Sequence, residues 1–142
     1  MAGTDGVMQD LLDRCRQDHL AWINGDASGY ALPEDGTILG AVGGYAFGGP
    51  ETASRQAGVA GQWQSGSGQI EFLNGVATDD LAWLTFIERA VVLFKGDPTE
   101  RRWDLRVTEV FRRTGDGWER LHRHADPLVD RRPLPEVAAL LD

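Results

Sequence analysis

One feature constrains the fold of this chain more than any other: apolar and polar side chains alternate along residues 102–113. The odd positions are Trp103, Leu105, Val107, Glu109 and Phe111. Because successive residues of a β-strand point to opposite faces of a sheet, this alternation predicts a long strand whose odd face points at the core. The same pattern puts an acidic residue, Glu109, on an otherwise apolar face.

The other elements are predicted from periodicity and turn residues. Apolar residues recur at steps of three and four over residues 8–24, which indicates a first helix that ends at Gly25 and Asp26. Further helices are predicted over residues 27–32, 51–64 and 134–141, with a linker turn at 65–68. Strands are predicted over residues 37–42, 69–78, 81–95, 102–113 and 118–126. Helices followed by a run of antiparallel strands are typical of an α+β domain.

Length and charge exclude several classes of function. A chain of 142 residues is expected to form a single domain, residues 1–142. A net charge of −8 argues against nucleic acid and against an anionic membrane surface, because both attract basic proteins. The longest apolar runs have five residues, far short of the ~20 of a membrane helix. We therefore expect no nucleic-acid partner and no membrane partner.

The single cysteine bears on the compartment. Cys15 has no second cysteine to form an intrachain disulfide, and the first ten residues resemble no signal peptide. A cytoplasmic protein is the expectation. A buried packing thiol is a simpler interpretation of Cys15 than a nucleophile, since no cysteine or histidine partner stands at a metal-site spacing.

Two glutamates fall on apolar strand faces. Glu109 is one, and Glu88 shares a face with Leu84 and Phe86 on the preceding strand. An ionised carboxylate is costly there unless it is paired, and burial raises its pKa. The basic residues are 13 arginines and Lys95 alone. Any partner of a buried acid is therefore expected to be an arginine, whose planar group can form two parallel bonds.

The last strand carries a second polar group of residues. His122, His124 and Asp126 share one face. If neighbouring strands bring them to the two glutamates, all five line one apolar cavity suited to general acid–base chemistry. The alternative is a buried polar network in which Arg106 or Arg123 satisfies the acids and the histidines cap strand ends. Two histidines and one carboxylate do not predict a metal site here, because no further ligand follows at a recognisable spacing. No cofactor is expected.

Several segments in order resemble SnoaL-like domains of the ketosteroid-isomerase and nuclear-transport-factor-two-like superfamily. They are AWINGD at residues 21–26, IER at 87–89, LRVTEVFRR at 105–113, GW at 117–118 and LHRHADP at 121–127. The resemblance spans about residues 8–127, which leaves residues 128–142 as a C-terminal extension. It implies a cone-shaped α+β fold, in which three N-terminal helices pack in a strongly curved, mostly antiparallel sheet around a pocket.

The resemblance also implies a pocket ligand and a homodimer formed through the outer sheet face. The residues expected to line the pocket are Asp18, Trp22, Trp63, Phe72, Phe86, Glu88 and Val107. The even face of the strand at 102–113 carries Arg106, Thr108 and Arg112, which are expected to pair with acidic groups of a partner copy. The partners predicted are thus a small molecule and a second copy of the chain.

Residue by residue, the resemblance to the steroid isomerases is partial. The position of their helix-one tyrosine is Asp18, and their general-base aspartate would fall near Gly40. Their protonated strand aspartate corresponds to Glu109, a plausible stand-in. SnoaL-type cyclases keep a histidine and an aspartate late in the chain. Asp126, with His122 or His124, matches these.

Two hypotheses about function follow. In the first, the chain is a cofactor-independent isomerase, lyase or cyclase: Asp126 or Glu109 removes a proton beside a carbonyl, and His122 or His124 donates to the oxyanion. In the second, it is a non-catalytic ligand-binding or dimerisation module, which the missing tyrosine and base favour. A third idea is a stress-related protein whose terminal helix covers a cavity without ligand.

Overall fold

The computed structural model describes residues 2–142, with side chains from residue 6 onwards. Its helices are α1 (Ala2–Trp22), α2 (Pro50–Ala60) and α3 (Leu134–Ala138), and 3₁₀ turns cover Ser28–Tyr30 and Ala139–Leu141. Its strands are β1 (Thr37–Leu39), β2 (Ala46–Phe47), β3 (Trp63–Ala77), β4 (Leu81–Phe94), β5 (Arg101–Arg102), β6 (Leu105–Thr114) and β7 (Gly117–Pro127).

All seven strands form one curved, open sheet in the order β2-β1-β7-β6-β4-β3, with β5 beside β4. Every pair is antiparallel except β1 and β7, which run parallel. The helix α1 lies along β3 on the inner face of the sheet. This arrangement confirms the predicted α+β fold with a strongly curved, mostly antiparallel sheet.

The sequence prediction was wrong at the start of β3. The helix predicted over residues 51–64 ends at Ala60, and the stretch expected to be a linker turn belongs to the strand. Its glycines are needed because α1 crosses there. A Cβ at Gly66 would lie 3.0 Å from Ile23, and a Cβ at Gly68 would lie 2.8 Å from the His19 ring. Glycine in this strand therefore marks a close helix approach rather than a turn.

Smaller differences concern the short elements. The helix predicted over residues 27–32 is a single 3₁₀ turn, and the first strand stops at Leu39. The two-residue strand β2 was not predicted, and β5 is separate from β6 because the strand predicted over residues 102–113 is interrupted at Trp103 and Asp104. Both pair at sheet edges, where a partner strand and not the local sequence decides the conformation.

Two apolar clusters fill the space between α1 and the sheet. The larger one joins residues of α1 to the inner faces of β4, β6 and β7: Leu11, Leu12, Cys15, Ala82, Leu84, Phe86, Leu105, Val107, Phe111 and Ala125. The smaller one lies at the end of α1 and contains Ile23, Ala60, Trp63, Ala90 and Val92. The odd face of β6, with Leu105, Val107 and Phe111, is thus the core face, as predicted for this part of the strand at 102–113.

The C-terminal extension lies outside both clusters. Residues 128–142 are exposed throughout, including Leu134 and Leu140. Among the described residues, no helix combines the length and the apolar character that crossing a membrane requires.

The close approach of α1 to β3 can be tested at Gly68. We expect Gly68→Ala to lower the free energy of unfolding by about 1–3 kcal/mol, because its Cβ would lie 2.8 Å from the Arg89 carbonyl oxygen and from His19. The control is Gly40→Ala, where nothing lies within 4 Å of the added Cβ. Urea unfolding followed by circular dichroism measures both. Equal stability of the two variants would contradict this packing.

Candidate functional site

The inner faces of β4, β6 and β7 bring four charged side chains together inside the cone. Glu88 comes from β4, Glu109 from β6, and Arg120 and Arg123 from β7. All four are buried, and Arg123 is the most exposed at 8%. We call these four residues the carboxylate–guanidinium network.

A β-bulge lets both arginines point inward. The register of β6 and β7 shifts between the pairs Val110–His122 and Phe111–Arg120, so that Leu121 has no partner. An extra residue of this kind changes which side chains face inward. Without it, strict alternation along β7 would place Arg120 and Arg123 on opposite faces.

The network is a continuous chain of charge-assisted hydrogen bonds. Arg123 donates to both oxygens of Glu88 at 3.0 and 2.9 Å, and its Nη1 also donates to Glu109 Oε2 at 2.9 Å. Arg120 donates to the two oxygens of Glu109 at 2.9 and 3.1 Å. Each acid is thus paired by a planar guanidinium, which makes such bonds stronger than bonds between neutral groups.

Two residues of α1 also contact the network. The Cys15 thiol donates to Glu109 Oε1 at 3.2 Å, and Asp18 Oδ2 lies 3.0 Å from Arg120 Nη1. Burial, with the charge of Glu109, raises the pKa of the Cys15 thiol, which therefore stays protonated. This matches the expectation of a packing thiol rather than a nucleophile.

The charges inside the cone are set by two opposing effects. Burial alone would raise the pKa of Glu109, but the charges of Arg120 and Arg123 and their hydrogen bonds outweigh it and lower the pKa to about 2. Burial also lowers the pKa of His19, whose Nε2 has no partner among the described residues. At neutral pH the interior therefore contains an ionised Glu109 and a neutral His19.

A cavity of about 220 Å³ lies next to Arg123. Its inner wall is mainly aromatic and aliphatic: Trp22, Tyr30, Ile38, Trp103, Leu105 and Ala125. The remaining wall is the face of α2 that carries Thr52, Arg55, Gln56 and Val59. Among the lining residues that the structure describes, there is no aspartate, glutamate or histidine.

The rim of the cavity is the glycine-rich loop between β1 and β2. Residues 40–46 border the opening, and the aromatic ring of Tyr45 is exposed there. Gly43 and Gly44 have φ values of 98° and 66°, a region that side chains disfavour. Glycine at both positions therefore allows the loop its conformation at the cavity opening.

Tyr30 connects the cavity wall to the network. The guanidinium carbons of Arg120 and Arg123 lie 4.8 and 4.7 Å from the centre of its ring. Such contacts stabilise a cation against an aromatic face. Burial raises the pKa of the Tyr30 hydroxyl well above its ordinary value, so the side chain stays neutral.

The five acidic and histidine residues expected around one cavity do not meet. Glu88 and Glu109 lie behind Arg123 and do not line the cavity. His122, His124 and Asp126 lie on the opposite face of β7, because Arg123 and Ala125 occupy the inner face. The expectation that these three residues face the cavity was therefore wrong, whereas the alternative of a buried network in which Arg123 satisfies the two glutamates matches the structure.

On that outer face the three residues make other contacts. His122 Nδ1 lies 2.8 Å from the Thr37 hydroxyl. Asp126 accepts two hydrogen bonds from Arg106 at 2.7 and 2.9 Å, and His124 Nε2 lies 3.8 Å from Asp126 Oδ2. Among the described residues, no group of three or more histidine, cysteine, aspartate or glutamate side chains is placed to hold a metal ion.

The seven residues predicted to line the pocket are dispersed. Trp22 lines the cavity, whereas Trp63, Phe86 and Val107 belong to the core. Phe72 is 40% exposed on β3. Asp18 and Glu88 hold Arg120 and Arg123 respectively and do not border the cavity.

Sequence reasoning missed most of the cavity wall. Arg123 was considered only as a partner for the acids, and Tyr30, Ile38 and Ala125 were not considered as wall residues. For Arg123 a signal was available, since it is an arginine among apolar residues on one face of β7. Tyr30 carried no comparable signal, because its position depends on contacts with Arg120 and Arg123 that lie far along the chain.

Comparison with known proteins identifies the fold. No family model and no curated protein matches the chain. A solved candidate dehydratase of the NTF2-like family from Streptomyces avermitilis superposes with a TM-score of 0.75 at 19% identity, over 89% of this chain and 99% of that chain. A ketosteroid isomerase-like protein from Erwinia carotovora gives 0.69 at 15% identity, over 85% and 96% of the two chains.

A third neighbour is the association domain of C. elegans CaMKII, with a TM-score of 0.64 at 14% identity over 89% of this chain and 99% of that chain. The chain therefore has the NTF2-like fold, which confirms the fold implied by the sequence resemblance. Because the identities are low, these neighbours define a fold that serves several functions, and the function has to be argued from the site.

The network predicts a specific dependence of stability on pH. The pKa of Glu109 is about 2 in the folded chain and 4.5 in the reference state, so its carboxylate stabilises the fold above pH 4.5. This contribution is lost as the pH falls towards 2. We expect Glu109→Gln to remove that part of the decline and to lower stability at pH 7 by about 3–5 kcal/mol, because two buried arginines lose a partner.

The control for this experiment is Glu119→Gln, which removes a half-buried carboxylate that pairs with Arg112 at 2.6 Å. This substitution should lower the free energy of unfolding by no more than about 1 kcal/mol. The decrease of stability at low pH should remain as in the wild type. Urea unfolding at several pH values between 2 and 7 measures all three proteins. A Glu109→Gln variant with the wild-type pH dependence would refute the charged network.

Proposed function

We propose that the chain binds a small, flat, largely apolar molecule in the cavity beside Arg123. The observation that carries this proposal is the cavity itself, about 220 Å³ in volume and lined by Trp22, Tyr30 and Trp103. An apolar cavity of ~150 Å³ holds one benzene ring. A compound of one or two rings therefore suits this cavity in size and in polarity.

The placement of the acids favours binding over acid–base catalysis. A general base has to reach the proton that it removes, directly or through one water. Glu88 and Glu109 are instead held by Arg120 and Arg123, and Asp126 is held by Arg106. The described cavity wall thus has donors for a ligand but no carboxylate or imidazole base.

Lyase or isomerase chemistry on a small carbonyl compound is the second candidate. It is favoured by the structural neighbours, which include a candidate dehydratase and a ketosteroid isomerase-like protein. Glu109, Asp126, His122 and His124 would be its acid–base residues. Only Glu109 lies near the cavity, one side chain behind Arg123. Arg123 would then stabilise the oxyanion.

A blocking variant tests the proposed binding site. Val59 borders the cavity on α2, and we expect Val59→Trp to fill it and to abolish binding of one- and two-ring aromatic compounds. The control is Val129→Trp, at an exposed position away from the cavity. Ligand-observed NMR measures binding to the wild type and to both variants.

The same samples separate the two candidates. Compounds that bind and are recovered unchanged support a binding protein, whereas conversion to a new species supports a lyase or isomerase. Wild-type protein that binds no member of the panel, or Val59→Trp protein that binds as the wild type does, would contradict the proposed site.

We propose a reducing compartment, the cytoplasm, for this protein. The observation that supports it is Cys15, a buried thiol that donates a hydrogen bond to Glu109. A disulfide at this position would remove the hydrogen that the thiol donates. The network is thus compatible with a reduced cysteine.

We further propose a homodimer that forms through the outer sheet face. The association domain among the structural neighbours supports the use of this fold in assembly. Arg106 and Arg112, which we expected to pair with a partner copy, are instead paired with Asp126 and Asp35 of their own chain. The apolar residues exposed on β3 and β4 therefore become the proposed contact: Val76, Leu81 and Trp83.

The dimer is tested by sedimentation equilibrium at micromolar concentration. We expect a mass of twice the 15.6 kDa of one chain, and a shift to 15.6 kDa for Trp83→Asp. The shift follows because a charge would be buried in an apolar contact. Tyr45→Asp, at an exposed aromatic residue of the cavity rim, is the control and should leave the mass unchanged. A wild-type mass of 15.6 kDa would refute the dimer.

A further inference from the structure

The charge of Arg123 is already balanced before any ligand arrives. Glu88 binds it through two parallel hydrogen bonds at 3.0 and 2.9 Å, and Glu109 accepts a third at 2.9 Å. Both carboxylates are at most 1% exposed. An arginine that binds an anion offers the ligand N–H groups that no carboxylate of its own protein occupies. Arg123 differs, because Glu88 and Glu109 already accept hydrogen bonds from three of its N–H groups.

The residues around Arg123 add no net positive charge to the cavity. The carboxylates of Glu88, Glu109 and Asp18 are matched by three guanidiniums: those of Arg123, Arg120 and Arg14, which lies 3.6 Å from Asp18. His19 is neutral because burial lowers its pKa. On α2, the exposed Arg55 is paired with Glu51 at 2.7 Å. The charged residues at and behind the cavity wall thus carry no formal net positive charge.

The cavity nevertheless offers hydrogen-bond donors. A guanidinium has five N–H groups, and the three bonds to Glu88 and Glu109 leave two of those on Arg123 without a protein partner among the described residues. Gln56 accepts from the Trp22 indole at 3.2 Å through its carbonyl oxygen, which leaves its amide NH₂ available. Donors without net positive charge suit an acceptor that is itself uncharged.

We propose that this cavity selects neutral hydrogen-bond acceptors, such as aryl ketones and aryl carboxamides, over carboxylates of the same shape, and that Glu88 determines this selectivity. A carboxylate ligand at Arg123 would stand close to Glu88 and Glu109 in a poorly screened interior, where like charges repel strongly. A carbonyl oxygen would accept the same N–H groups without that repulsion. The inference rests on the proposed binding function and adds the chemical class of the ligand.

Benzamide and benzoate form the matched pair of probes, since both are flat single rings that differ in charge. Isothermal titration calorimetry at pH 7 should give wild-type protein a Kd for benzamide at least about tenfold below that for benzoate. This threshold is modest beside the repulsion expected between buried like charges. Saturable binding of benzoate with equal or greater affinity would overturn the inference and leave the binding function intact.

Glu88→Gln tests the residue assigned to the selectivity. The variant keeps the size of the side chain and removes one negative charge beside Arg123, so benzoate affinity should rise by about tenfold or more relative to benzamide. Glu71→Gln is the matched control: Glu71 pairs with Arg89 at 3.1 Å and does not line the cavity. It should leave both affinities unchanged.

The outcomes distinguish the charge selectivity from the binding function. A folded Glu88→Gln variant with the wild-type ratio of affinities would refute the role of Glu88. If circular dichroism shows that this variant does not fold, the wild-type ratio alone decides the charge selectivity. Absence of binding by both probes, together with no binding across the aromatic panel, would contradict the proposed function on which this inference rests.

Discussion

The pairing of two buried carboxylates with two buried guanidiniums determines the arrangement of much of this molecule. Either ion alone would be very costly in the interior, and removing one member of such a pair leaves an uncompensated charge. Because Glu88, Glu109 and the two arginines come from three strands, their bonds hold β4, β6 and β7 in one register. Cys15 and Asp18 extend the same contacts to α1. The network thus ties the helix to the sheet at the centre of the cone.

The same pairing shapes the site. Since the carboxylates bind the arginines, they are not available as bases. The cavity that remains is mainly apolar, with hydrogen-bond donors on Arg123 and Gln56. An arginine without these partners would make the cavity an anion site, and a glutamate without the arginines would make it an acid–base site. The fold alone does not decide between these three kinds of site, because neighbours of similar shape include a candidate dehydratase and an association domain.

Much of the fold could be predicted from the sequence because its signals are local. The alternation along residues 102–113 identified the core face of β6, and the burial of Glu88 and Glu109 followed from the faces that they share. The scarcity of lysine correctly pointed to arginine as their partner. Elements that depend on distant contacts were not predictable in this way: the glycines of β3 are explained by α1 crossing them, and β2 exists because β1 pairs with it.

The site was harder to predict because it depends on one extra residue. The bulge at Leu121 places Arg120 and Arg123 on the same face, three positions apart, where a regular strand would separate them. Two inward arginines require two inward acids, and Glu88 and Glu109 supply them. His122, His124 and Asp126 then lie on the outer face with Thr37 and Arg106. The alternation of apolar and polar residues in the sequence does not reveal such a bulge. The inner face of β7 therefore has to be identified from the charge balance of the interior.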